Sequence, residues 1–209
     1  HLHDKLCINN NSYGGGSMSR LITNAIRSTS ASADAITFDN SGKPAFPNGG
    51  VGKILQVVQV AKTDTQSTQS ATFVDVTGLS QAITTSAGSK VLCLGNVFFG
   101  SSAAYSTWFR LVRVDVDGST NYPWLGDADG SVTRASAGGY TGYYNYGAST
   151  ASFSALDIPS GAGSHTYKIQ WKQGYSGGFT SYIGRDEQGS TDVSRGRVPS
   201  SLTLLEVAG

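Results

Sequence analysis

Eight short apolar runs, separated by stretches rich in Gly, Ser, Asp and Asn, set the tightest limit on what this chain can fold into. They occupy residues 54–61, 71–76, 91–99, 107–116, 152–158, 166–171, 179–183 and 202–207. Runs of that length, bounded by turn-forming residues, predict strands rather than helices. In one of them Tyr167, Ile169 and Trp171 alternate with Lys168, Gln170 and Lys172, the pattern of a strand with one dry face and one wet face. Val112, Val114 and Val116 interleave with Arg113 and Asp115 in the same way, which predicts inward valines and solvent-facing charges. Residues 91–99 are apolar on both faces and read as a central strand, with Cys93 packing as a small buried hydrophobe. No helical pattern exceeds two turns. The expected fold class is all-β: an antiparallel β-sandwich or jelly-roll-like domain over residues 51–209.

Composition narrows the function classes. Charged residues make up only 14% of the chain, against about 25% in an ordinary globular protein, yet the clustered Val, Leu, Ile, Phe, Tyr and Trp can still bury a core. The formal net charge is +1, and no basic stripe of the kind nucleic-acid binders carry is present. No run approaches the roughly 18 apolar residues of a membrane span, so neither nucleic acid nor membrane insertion is expected. No secretory signal pattern opens the sequence. Cys7 and Cys93 do not build a disulfide framework, and folding in a reducing compartment is expected.

Upstream of the sandwich the character of the chain changes twice. Residues 1–17 read as a linker, leader or fusion-derived segment, ending in Gly14-Gly15-Gly16-Ser17 directly before Met18. Residues 18–50 carry few large apolar side chains and read as an extended N-terminal stalk or attachment segment. Within it, 35–38 predicts a short strand entering a turn at 39–42. Pro44 and Pro47 then keep the chain extended, because each removes a donor and biases its predecessor away from helix. Such a segment cannot bury a core alone and is expected to lie on another surface, such as copies of itself.

Few residues invite a catalytic reading. Gly174-Tyr175-Ser176-Gly177-Gly178 has the spacing of a hydrolase nucleophile elbow, but a strand pattern follows it where the elbow requires a helix. His165, the one histidine of the domain, precedes a strand and reads as a turn residue. His1, His3 and Cys7 lack the paired spacing of a structural zinc site. Asp115-Val116-Asp117-Gly118 and Asp127-Ala128-Asp129-Gly130 stop short of a complete calcium loop and read as Asp-Gly turns. No catalytic residue, metal or cofactor is expected. The candidate binding residues are instead Tyr122, Trp124, Tyr140, Tyr143, Tyr144 and Tyr146, set among glycines and serines over 120–149. Loop aromatics give rigid contact area at low entropic cost. The alternative is that the same rings fill a subunit interface or cover a sandwich edge.

Several pieces in order resemble a domain of bacteriophage tail fibres, cyanophages in particular. They are Val51-Gly52-Lys53-Ile54-Leu55-Gln56-Val57-Val58, Ser70-Ala71-Thr72-Phe73-Val74-Asp75-Val76, Phe109-Arg110-Leu111-Val112-Arg113 and the closing Arg197-Val198-Pro199-Ser200-Ser201-Leu202. Leu21-Ile22-Thr23-Asn24-Ala25-Ile26-Arg27 resembles the leader that often precedes it. The resemblance implies a homotrimeric fibre protein of the virion, assembled in the host cytoplasm. It implies a host cell-surface glycan or protein as receptor, other tail or baseplate proteins bound through residues 18–50, and no active-site residues. The alternative is a virion connector or decoration protein docking on other tail or capsid proteins.

Overall fold

The computed structural model describes residues 23–27, 30, 32–42, 44–45, 53–141, 147–189 and 192–209. The chain divides into two compact units, His1–Lys53 and Ile54–Gly209. In the first, β1 (Ala25–Ile26), β2 (Ile36–Phe38) and β3 (Pro44–Ala45) form a three-stranded antiparallel meander. The turn between β2 and β3 is closed by Asp39, whose side chain accepts from the Ser41 N–H at 2.9 Å and whose carbonyl accepts from Gly42. Among the described residues of this unit none is buried, in keeping with its scarcity of large apolar side chains.

The second unit consists of β4 (Ile54–Lys62), β5 (Gln66–Thr68), β6 (Val74–Thr85), β7 (Lys90–Ser101), β8 (Ser106–Val114), β9 (Thr120–Asn121), β10 (Ala137–Tyr140), β11 (Ala148–Asp157), β12 (Gly163–Gln173), β13 (Ser181–Ile183) and β14 (Ser200–Val207). Every pairing is antiparallel. β11 runs along one edge of β7, so β13 and β14, which pair with successive stretches of β7 that β11 also spans, share the other edge. By the same reasoning β9 and β10 share one edge of β8 opposite β12. The pieces therefore make eight strand rows in two sheets: β4/β5, β14/β13, β7, β11 in one, and β6, β12, β8, β10/β9 in the other. Numbered along the chain, the rows run 1-8-3-6 and 2-7-4-5, which is jelly-roll order.

Between the sheets lies one core, with Val91, Cys93, Val97 and Phe99 from the first sheet meeting Ile83, Phe109, Leu111, Tyr167, Ile169 and Trp171 from the second. Cys93 is a free buried thiol, and burial pushes its pKa up. Packing is close enough that a Cβ on Gly95 would fall 2.2 Å from the Phe153 ring opposite it on β11.

Three sequence expectations need correction. The strand expected at 71–76 begins at Val74 and continues to Thr85. Its polar second half hides the strand because Gly78, at φ 84°, carries a bulge that turns both Val76 and Leu79 inward and breaks the alternation. His165 is not a turn residue but a buried member of β12. On β8 the alternation is inverted: Arg113 and Asp115, 6% and 7% exposed, point into the sandwich, while Val116 is open to solvent. Two charges can sit there because each finds a buried partner of opposite sign.

Candidate functional site

At the β8–β9 end of the sandwich, the inward charges form a closed network. Arg113 Nη1 donates to Asp157 Oδ2 at 2.5 Å and Nη2 to Asp115 Oδ2 at 3.0 Å. His165 Nδ1 lies 2.6 Å from Asp115 Oδ1, its Nε2 lies 3.0 Å from the Gly161 carbonyl oxygen, and the Tyr167 hydroxyl donates to Asp157 Oδ2 at 2.7 Å. Asn121 Nδ2 adds a third donor to Asp115 at 2.7 Å. Burial opposes ionisation of Asp115, but the hydrogen bonds from Arg113 and His165 outweigh it and hold its carboxyl below the usual range. Burial, and then the bond to Asp157, push the Tyr167 phenol well above its ordinary value. Apart from Arg113 Nε, which lies 2.7 Å from Asp115 Oδ1 as an ion pair without a hydrogen bond, these groups satisfy one another, and the network is structural.

The serine of the Gly174–Gly178 stretch has no such partners. Ser176 is exposed on the loop from β12 to β13, and no helix follows it. His165 and Gln173 stand eight residues apart on β12, roughly 26 Å at about 3.3 Å per residue, and Ser176 lies beyond Gln173. A nucleophile–base pair needs hydrogen-bond reach, which this separation denies. Among the described residues no group of three or more His, Cys, Asp or Glu side chains could hold a metal ion.

What the sandwich does present is aromatic. On the outer face of the second sheet the Arg110 guanidinium lies 4.1 Å from the Phe73 ring centre and 4.3 Å from that of Tyr122. Its Nε and Nη2 donate to Gln170 Oε1 at 2.9 and 2.6 Å. Gln170 and Lys168 in turn donate to Asp75 at 2.6 and 2.8 Å. Ser136 pins the loop above this platform, its hydroxyl donating to the Trp124 carbonyl and accepting from the Leu111 N–H at 2.9 Å. Tyr122 is thereby held against the sheet with an exposed outer part, and Trp124 is 47% exposed. Tyr140, 53% exposed, closes β10 beside Ser106, at the opposite end of the sandwich from the buried charges. The structure thus places Tyr122 and Trp124 on one loop and Tyr140 elsewhere. Tyr143, Tyr144 and Tyr146 lie outside the described residues.

One aromatic group escapes the sequence reading. Tyr105 and Tyr175 stack with ring centres 4.8 Å apart and 6° between planes, and Phe179 lies 4.5 Å from Tyr105. This trio joins the β7–β8 and β12–β13 loops at the Tyr140 end, and Tyr175 is exposed. Its sequence signal is the set of aromatic residues at Gly-rich loop positions, which the G-x-S-x-G spacing around Ser176 overlies. A shallow cavity of about 440 Å³ is lined by Phe98, Ala148, Asp186, Ser194, Arg195 and Gly196.

Acid should weaken this structure. Asp115 and Glu206 both titrate below their ordinary values of 3.8 and 4.5. In Glu206 burial again opposes the charge, and donors from the Ser86 N–H and Gln56 Nε2, each at 2.7 Å, prevail. A group with a depressed folded pKa contributes stability above its unfolded pKa and loses it as pH falls through the folded one. The denaturant midpoint is therefore expected to decline from about pH 4 downward. A midpoint unchanged between pH 5 and pH 2.5 would contradict this electrostatic account.

The fold and its surface define a jelly-roll sandwich with solvent-facing aromatic loops. No family model matches the sequence, and no curated protein matches it. Among solved structures, the chain is similar to a structure of infectious bursal disease virus, Gt strain, at 16% identity and a TM-score of 0.40, covering 95% of this chain and 44% of that one. It is similar to Eiger TNF from S. frugiperda at 8% identity and a TM-score of 0.34, covering 73% of this chain and 93% of that one. A VP2 subviral particle of infectious bursal disease virus matches at 15% identity and a TM-score of 0.36, over 95% of this chain and 45% of that one. The chain spans less than half the length of the viral chains it matches. Strand order, rather than these distant likenesses, defines the fold.

Proposed function

We propose that this chain is a non-enzymatic attachment module of a virion, a bacteriophage tail-fibre component that contacts the host surface. The observation that carries the reading is the division of labour between interior and surface. The buried ionisable groups of the Arg113 network are consumed by internal pairing, whereas Tyr122, Trp124, Tyr140 and Tyr175 keep ring surface open to solvent. Aromatic faces stack on the flat apolar faces of sugars, and a near-neutral protein suits a neutral glycan better than a strongly acidic partner. The resemblance of residues 18–209 to phage tail fibres gives the reading its setting: a trimer, joined to tail or baseplate proteins through residues 18–50. Linking three weak sites raises avidity by about 10² to 10⁴ without a new contact.

Incubation of the full chain with purified cyanobacterial surface polysaccharide separates binding from catalysis. Co-sedimentation of intact protein with intact polysaccharide is the expected result. Release of reducing sugar or of an ester-linked acid would overturn the non-enzymatic reading.

A further inference from the structure

We infer that the outer face of the β4–β14–β7–β11 sheet is a self-association surface, on which copies of this chain pack against one another. Strand register sets a continuous row there: Val57 pairs with Leu205, Leu205 with Leu92 and Leu92 with Leu156. All four point away from the core, because their neighbours Val58, Leu204, Cys93 and Ala155 point into it. Val57 is 57% and Leu156 52% exposed, and Leu55 and Leu94 stand beside the row, also exposed. Four apolar side chains crossing every strand of a sheet are not the scattered surface hydrophobes of an ordinary monomer.

Charge and size point to a second copy as the occupant. Outward positions on these strands include Gln59, Thr203, Asn96, Ser152, Ser154 and Ser201, and the one charged residue among the outward positions of the paired stretches is Lys90. A face without carboxylates and with a single cation can meet itself without like-charge repulsion, and it offers a strongly charged partner almost nothing to pair with. The other sheet is different, its outer face being laced by Asp75, Lys168, Arg110 and Gln170 and overlain by the Tyr122–Ser136 loop. Four strands at about 4.8 Å spacing and roughly nine residues at 3.3 Å each give about 600 Å² in projection. That is the scale of the roughly 800 Å² of accessible surface that each partner contributes to a standard interface.

The border of the face adds an independent sign. Among the described residues β11 pairs on one side only, with β7, and its ten residues contain no Lys or Pro and no charge except the inward Asp157. An edge strand of that length without guarding charges is a template for another strand.

The inference does not rest on receptor binding, and the two fail separately. Sedimentation equilibrium of the full chain at 50 µM should give a multiple of the 21.8 kDa chain mass. A Val57→Lys/Leu156→Lys variant should run at the single-chain mass with an unchanged β-type circular dichroism spectrum, since both positions are more than half exposed. Thr77→Lys on the opposite sheet is the control and should assemble as the parent does. A monomeric parent chain would overturn the inference, and so would a double variant that assembles normally. Cell binding by the monomeric variant, at reduced avidity, reports on the attachment reading independently.

Discussion

Replacing Arg113 with methionine is expected to destabilise the sandwich by about 3–5 kcal/mol, the usual cost of breaking a buried ion pair by removing one partner. The guanidinium stands between two carboxylates, with Nη1 on Asp157 and both Nε and Nη2 on Asp115. Methionine fills much of the arginine stem's volume, so the loss falls on charge rather than packing. Asp115 and Asp157 would then face each other across a nearly dry interior with His165, Asn121, Tyr167 and the more distant Ser119 hydroxyl as donors. Two checks distinguish this from a general packing defect. The gap between variant and parent should narrow as pH falls below about 4 and Asp115, no longer held down by the guanidinium in the variant, protonates. Adding Asp157→Leu to Arg113→Met should recover part of the loss, because paired charges replaced together by apolar groups are often neutral. Denaturant midpoints at one fixed protein concentration measure both, since assembly would make stability concentration-dependent. A single-variant loss below about 1 kcal/mol would show that the network is hydrated and weak.

Trp171→Ala should cost about 3–5 kcal/mol, as aromatic truncations in cores do. Trp171 is fully buried on β12 and stacks on Phe109 at 6.4 Å, which in turn meets Phe99 edge-on at 5.2 Å across the two sheets. Removing the indole therefore opens a cavity where both sheets contribute aromatic rings. Trp171→Phe should cost much less. The indole N–H is buried without an acceptor among the described residues, so phenylalanine gives back part of a desolvation penalty of about 1–3 kcal/mol while keeping most of the packing. Equal losses for Ala and Phe would show that the N–H is satisfied and contributes to stability.

The sandwich was legible because most of its strands announce themselves by local pattern. Residues 166–171 alternate so cleanly that wet and dry faces can be assigned by inspection, and the buried Tyr167, Ile169 and Trp171 agree. The central position of 91–99 followed from apolar residues on both faces. The inner face enters the core, while the outer face carries Leu92 in the apolar row and the exposed Leu94 beside it. The inverted faces of β8 were not legible. Arg113 and Asp115 become inward residues only because Asp157 and His165, 44 and 50 positions away in sequence, meet them in space. Alternation carries no information about such pairing. β6 beyond Gly78 was hidden for a different reason, since a bulge changes which residues share a face without changing composition. β5, β9 and β10 are too short and too poor in large apolar residues to rise above turn-like background; β9 and β10 are held by the longer β8, and β5 by β13.

The candidate site was legible as a composition and not as a geometry. An aromatic, Gly-rich stretch named Tyr122, Trp124 and Tyr140, but nothing local says that Tyr122 seats on Arg110 of β8 or that Tyr140 stands at the other end of the sandwich. The Tyr105–Tyr175–Phe179 trio joins two loops about 70 residues apart, a relation that topology creates.

The most direct measurement of the central claim is a binding isotherm of fluorescently labelled full chain on a panel of cyanobacterial cells, beside a Tyr122→Ala/Trp124→Ala variant of unchanged thermal stability. Saturable binding to some strains is expected, with at least a tenfold loss in the variant, equivalent to about 1.4 kcal/mol, within the range of an aromatic contact residue. Equal binding by both proteins would contradict the aromatic attachment surface, and no binding to any strain at micromolar concentration would contradict host attachment itself.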